Sequence, residues 1–471
     1  MFYKSDLITI SLRYMVIFAI LSLTACKTEN PLPTAIHNPT PNPSNTVTHE
    51  QISPTEQQPT SPPIQSTQAN QEKQITHLKM MDSKIGWAVY ARPFLRPEGS
   101  RIIRTMDGGL TWQDVTPPAT TGISDVRAFF FIDPAKAVIV TQRKPDSQSA
   151  ATEIVAWKTA DGGISWLAGE PAYFDSSSPQ FYPDELMFVD PDHGWLLGVS
   201  DAGMRNQVVH FLITSDGGIH WQVVYDSSQH ITDPFTLWVN GYYPFLGSFT
   251  FLNETSGWFS DGNLFSTQDG GIQWAPVALT PPGDFPELEC EGAGCEYLVS
   301  VSAPQFFTNQ DGILNLRIYL NTETNLDVLV YYPNTTNRMS LPVAQYIYLT
   351  RDAGQTWTSN RLPASIGTVS FQDANTGWLL GNSDPNPATP IQMFQTLDGG
   401  LNWTLIMADC PLPLGSQIQF VDETTGFGFL DWTSADFYRD FDYRLESFSG
   451  SILFITHDAG ATWVKIDYIV N

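Results

Sequence analysis

Thr214-Ser215-Asp216-Gly217-Gly218-Ile219-His220-Trp221 is one of seven copies of a short phrase, T-x-D-G/A-G-x-x-W. The others occupy 105–112, 159–166, 267–274, 350–357, 396–403 and 456–463. Their acids are Asp107, Asp161, Asp216, Asp269, Asp352, Asp398 and Asp458, and their tryptophans Trp112, Trp166, Trp221, Trp274, Trp357, Trp403 and Trp463. Successive tryptophans lie 54, 55, 53, 83, 46 and 60 residues apart. That is the length of a four-stranded propeller blade with variable loops. The third unit shows the order: strands over 185–189, 195–199, 208–214 and 220–224, with turns at 190–194 and 216–218. The first turn of most units ends in Gly-Trp or Gly-Phe, at Gly86, Gly194, Gly257, Gly377 and Gly426; Ala137-Val138 and Gly312-Ile313 are weaker copies. The repeat predicts an all-β chain, a seven-bladed β-propeller of four-stranded antiparallel blades, with the boxed turn between third and fourth strands.

Each box residue has a mechanical reading. The Asp is expected to accept hydrogen bonds from turn amides two residues on. Only the second Gly is present in all seven boxes, because Ala353 and Ala459 replace the first, so the second is expected to be the left-handed position. The Trp is expected to pack on the neighbouring blade, burying about 150–250 Å², and Trp221→Ala to cost about 3–5 kcal/mol. Seven acids at equivalent places of a ring stand well apart, whereas carboxylate catalysis needs two carboxyls within about 5–10 Å. They read as turn-locking groups. The chain runs from a first strand near Ile75 to a fourth strand near Ile466, so ring closure is expected to rest on side-chain packing between the end blades.

Upstream of the repeats, Lys4 and Arg13 precede an apolar run over 14–23, too short to span a bilayer. Residues 1–26 therefore read as an export signal. Its end, Leu23-Thr24-Ala25-Cys26, resembles the lipobox of bacterial lipoproteins, which implies cleavage before Cys26 and a lipid on its thiol. Residues 27–75 are rich in Pro, Ser, Thr, Asn and Gln and read as a disordered, extended linker. Residues 76–471 are the propeller. The chain is expected to be exported and lipid-anchored, at the cell surface or periplasmic face, touching membrane through that anchor only.

The net charge is −26. Such a surface disfavours nucleic acid and suits a cationic partner or bound cations. No metal site or cofactor is read from the sequence, and a monomer is expected. Cys290-Glu-Gly-Ala-Gly-Cys295 can close a small disulfide loop; alternatively Cys410 pairs with one of the two.

The boxes resemble the Asp-boxes, or bacterial neuraminidase repeats, of β-propellers. Box and Gly-Trp phrase together resemble the photosystem II assembly/stability factor family of seven-bladed propellers and its non-photosynthetic relatives. That resemblance covers about 76–471 and implies a binding or assembly role without catalysis. Sialidase-type hydrolases share the box but need an arginine triad and an early Arg-Ile-Pro phrase. Ala91-Arg92-Pro93 and Leu95-Arg96-Pro97 depart from it. Xyloglucanase-like enzymes use two propellers, and this chain has one.

First-to-second and third-to-fourth turns share one face of a propeller, and the long connections lie on the other, where binding residues collect. Four segments stand out there: 173–183 with Tyr173, Phe174, Phe181 and Tyr182; 232–246 with Trp238, Tyr242 and Tyr243; the acidic 280–304; and 431–450 with Trp432, Tyr438, Arg439, Tyr443 and Arg444. Aromatic side chains among charges suit a protein hot spot or glycan stacking. The sequence thus points to a non-enzymatic scaffold binding an unknown envelope protein or glycan, with a glycan-binding module or sialidase-like hydrolase as the alternative.

Overall fold

In the computed structural model every box closes a four-stranded antiparallel sheet, and seven such sheets form a seven-bladed β-propeller. The structure describes residues 73–91, 99–118, 124–143, 153–173, 181–203, 206–229, 248–260, 262–285, 296–321, 342–383, 389–430 and 452–471. The expected leader, and the linker up to residue 72, lie outside them.

Blade three has strands Phe181–Phe188, Gly194–Gly203, Asn206–Thr214 and Gln222–Asp226, paired in chain order. The inner strand is longer than the sequence suggests. Phe181 and Tyr182, read as loop aromatics, belong to it, and Phe181 is fully buried against the His210 ring. Pro183 disguises this strand. A proline is tolerated at a sheet edge or a bulge, and the pairing register shifts between Pro183 and Glu185. The other inner strands are Gln74–Met80, Ser124–Phe131, Ser248–Phe251, Glu296–Val301, Ile366–Phe371 and Ser416–Phe420. Blade five therefore starts inside the 280–304 segment that reads as a loop, and a second piece, Gln305–Phe306, pairs with the same neighbour strand.

The Gly-Trp phrase turns out to join blades. Its glycine faces an apolar residue across the inner hairpin, as in Phe188↔Gly194, Phe251↔Gly257, Phe371↔Gly377 and Phe420↔Gly426. A Cβ on Gly194 would sit 2.6 Å from the Phe188 ring. The glycine is thus demanded by close approach rather than by backbone freedom. Its tryptophan then crosses to the next blade. Trp195 stacks on Phe251 with ring centroids 3.8 Å apart, and Trp378 on Phe420 at 3.6 Å. Their indole N–H groups donate to Gly270 O and Ala459 O, both in boxes of the following blade. Box tryptophans pack backwards into the preceding blade, as expected: Trp112 lies with Phe427 and Leu453 of blade seven, and Trp274 with Trp195 and Phe211 of blade three.

Ring closure differs from the expectation. After blade seven the chain adds a short strand, Ile469–Val470, in parallel to the outer strand of blade one, Thr111–Asp114. Ile469 N donates to Leu110 O, Asn471 N to Trp112 O and Asp114 N to Asn471 O. Closure therefore uses backbone pairing as well as the Trp112 packing. Two residues of strand, Ile469 and Val470, gave no periodic signal to read.

Inner strands also bond across the seams. Gln419 in blade seven both donates to Met80 O and accepts from the Met80 amide of blade one. Lys79 donates to Phe131 O of blade two. At the seam of blades three and four, Glu185 Oε2 accepts from the Phe249 amide at 3.1 Å. Burial pushes this carboxyl up, opposed by that amide and helped by the Asp184 charge, to about 8. Two box acids shift the other way. Asp161 and Asp352 are held at about 2 chiefly by the hydroxyls and amides of Ser165 and Thr356. Stability is accordingly expected to fall on both sides of a maximum at about pH 4. Asp161 and Asp352 have folded values below their unfolded ones, so their contribution is present above about pH 4 and is lost towards pH 2. Glu185 has the opposite sign: its contribution is complete below about pH 4.5 and is lost as pH rises through about 8. Glu185→Gln should leave the acid limb intact and flatten the alkaline one in unfolding midpoints taken across pH.

Candidate functional site

The boxes define one face. In all seven, the threonine hydroxyl donates to the Asp two residues on, for example Thr105 Oγ1 to Asp107 Oδ1 at 2.9 Å. It also accepts from the second glycine amide, as from Gly109 at 3.0 Å. The Asp takes the amide four residues on, not two: Thr111, Ser165, His220, Gln273, Thr356, Asn402 and Thr462 supply it. In six boxes that residue's side chain also reaches Oδ2. The polar position before each tryptophan was the missed signal: Thr, Ser, His, Gln, Thr, Asn and Thr all carry polar groups there. The expected two-residue span belongs to the threonine.

The amide of the first Gly/Ala position bonds a carbonyl of the first turn in every blade: Gly108 to Lys84, Gly162 to Ala135, Gly217 to Asp192, Gly270 to Thr255, Ala353 to Gln310, Gly399 to Asn375 and Ala459 to Thr424. Seven bonds of one kind tie the two turns of each blade together, so both do share a face.

Both box positions are left-handed, not the second alone. Gly108 and Gly109 have φ of 74° and 89°, and Ala353 and Ala459 are held at 59°. A left-handed alanine costs roughly 1–2 kcal/mol, and the entropy of an unfolded glycine returns about 0.4–1 kcal/mol. Ala353→Gly and Ala459→Gly should each raise the unfolding free energy by about 0.5–1 kcal/mol. Lying in separate blades, they should add in denaturant titrations.

Two constellations emerge that the sequence did not reveal. Ser200 Oγ and His210 Nε2 lie 2.7 Å apart. Both are buried, on paired strands of blade three, so this nucleophile–base geometry faces no solvent. On the box face, Asp190 and His193 of blade three meet Glu254 of blade four, all three ligand atoms within 4.8 Å of one another. His193 Nδ1 lies 2.8 Å from Asp190 Oδ2 and 3.8 Å from Glu254 Oε1. The hydrogen bond to Asp190 raises the imidazole above its ordinary value, with the Glu254 and Asp192 charges adding to it. The phrase Asp190-Pro-Asp-His193 was visible, but Glu254 comes from the next repeat. His220 and His457 are exposed in their boxes.

Trp238, Tyr242, Tyr243, Trp432, Tyr438, Arg439, Tyr443 and Arg444 lie outside the described residues, as do Cys26, Cys290 and Cys295. The described chain flanks them. Leu430 ends the second strand of blade seven, and Leu453 begins the third. Both are buried, and both belong to the end of the hairpin away from the box. Cys410 is buried between blades six and seven, its amide bonded to Ile391 O.

No protein-family description and no curated protein matches the chain. Solved propellers are similar in fold. A structure of YCF48 bound to a D1 peptide has a TM-score of 0.40 and 15% identity, covering 76% of this chain and 91% of that one. YCF48 from Cyanidioschyzon merolae gives 0.39 and 14%, covering 84% and 96%. The GH74 enzyme of Niastella koreensis gives 0.41 and 12%, covering 84% and 66%.

Proposed function

We propose that this chain is a lipid-tethered, non-enzymatic scaffold that binds an envelope protein through the face opposite its boxes. The observation that supports this is the contrast between the two ends of the same hairpins. At the box end every turn is short, and its polar groups are bonded within its own blade or to the adjoining one. At the other end the strands of blade seven, Gly426–Leu430 and Leu453–Thr456, are joined by 22 intervening residues, 431–452, rich in aromatic and charged side chains. A rigid body with its longest connections on one face is built to present them. The lipid on Cys26 and the 27–72 linker hold that body near a membrane.

The test is capture from native envelope extract. The bait starts at residue 68 rather than 76, because the first strand begins at Gln74 with Ile75 buried. Removing 433–449 should abolish capture of the partner protein while leaving the unfolding midpoint unchanged. Retained capture would remove this loop from the site. Capture of polysaccharide with no protein would replace the scaffold by a glycan-binding module.

A further inference from the structure

The crossing point of blades three and four combines ligand chemistry with a charge deficit. Asp190 Oδ1 accepts the Asp192 and His193 amides, which leaves Oδ2 turned to the imidazole. Around an ion with bonds of about 2.0–2.1 Å, neighbouring ligand atoms sit about 2.9–3.4 Å apart. His193 Nδ1 lies 2.8 and 3.8 Å from the two carboxylate oxygens and all three atoms lie within 4.8 Å of one another, so side-chain rotations alone, without backbone movement, bring them onto one ion.

A comparison within the ring gives an independent indication. At two other places where a first-turn acid has a charged neighbour, that neighbour is a permanent cation. Lys136 lies 3.2 Å from Asp133, and Arg351 lies 3.0 Å from Asp311. At the three–four seam, three carboxylates, Asp190, Asp192 and Glu254, act on one imidazole. Among the described residues no Lys or Arg forms an ion pair with them. The spot carries excess negative charge and a nitrogen donor aimed into it.

We infer that Asp190, His193 and Glu254 form a binding site for a divalent transition ion of the zinc class, with water filling the remaining coordination. One imidazole nitrogen among carboxylate oxygens favours such an ion over magnesium or calcium, which take oxygen ligands. Because the ligands come from two blades, the ion staples the seam. The side chains are accessible, His193 being 31% and Glu254 65% exposed, so the ion enters from solvent without opening the fold.

The chain contains its own control. His220 Nδ1 lies 2.6 Å from Asp216 Oδ2 in the box of blade three, the same imidazole–carboxylate pairing, but among the described residues it belongs to no three-ligand group. The full chain, stripped with a chelator, is titrated calorimetrically with zinc chloride at neutral pH. One ion per chain should bind, at least about tenfold more weakly in His193→Ala and in Glu254→Gln, with His220→Ala unchanged. Zinc should also raise the unfolding midpoint of the parent and of His220→Ala but not of the two site variants. Glu254→Gln keeps shape at an exposed position, so its lost binding cannot be put down to misfolding. The proposal is overturned by no saturable binding, by equal binding in both site variants, or by equal loss in His220→Ala, which would mark an adventitious ion only.

Discussion

Alanine in place of Trp378 lowers the unfolding free energy by about 3–5 kcal/mol. This tryptophan is fully buried, stacks on Phe420 of the next blade with planes 4° apart, and donates its indole N–H to Ala459 O. Its removal empties the seam of blades six and seven and leaves that carbonyl without its donor. Trp378→Phe keeps a ring in the stack and loses the bond, so it should cost less, with about 1–2 kcal/mol of the loss from the bond. Urea unfolding separates the two. Trp221→Ala should cost less than Trp378→Ala, because Trp221 is only partly buried and its indole N–H has no hydrogen-bond partner among the described residues. The loss of about 3–5 kcal/mol expected for Trp221 from full burial therefore overstates the cost at this partly buried box tryptophan.

Deleting 468–471 should cost about 3–5 kcal/mol. Three backbone bonds between blade one and the closing strand disappear, together with the bond from the Ile75 amide to the Tyr468 hydroxyl, at about 0.5–1.5 kcal/mol each. The outer edge of blade one is then exposed. Because an open edge recruits other strands, the truncated chain should also associate with rising concentration, which sedimentation velocity would detect. An unchanged midpoint with a monomeric boundary would mean that side-chain packing alone closes the ring.

The blade count was legible because the box is a local device. Thr, Asp, Gly and Trp act within eight residues, so their spacing alone reports a turn and its strand pair. What escaped reading acts between repeats. The stack of Trp378 on Phe420 joins residues 42 apart, and the meeting of His193 with Glu254 joins residues 61 apart. Neither has a periodic trace. Pro183 hid the start of an inner strand, because proline reads as a breaker except at an edge or bulge. The left-handed alanines were misread for a different reason. Ala353 and Ala459 suggested that only the second box position is left-handed, whereas the backbone imposes a positive φ on the first as well and the alanine bears the strain. The candidate binding residues were singled out by composition only. Trp432, Tyr438 and Tyr443 stood out as aromatic groups among charges, and nothing in that pattern specifies what they touch.

The two faces offer rival surfaces, and this can be decided by experiment. The box face also exposes apolar groups, with Leu397 69% and Leu401 65% accessible in the box of blade six. The most direct measurement is the affinity of the captured envelope partner for two variants of the chain. One carries Trp432→Ala, Tyr438→Ala and Tyr443→Ala; the other carries Leu397→Ser and Leu401→Ser. Removing hot-spot aromatics typically costs about 2 kcal/mol or more each, so the first variant should bind at least tenfold more weakly and the second as the parent does. Full affinity in the aromatic variant with loss in the leucine variant would contradict the account and move the working surface to the boxes.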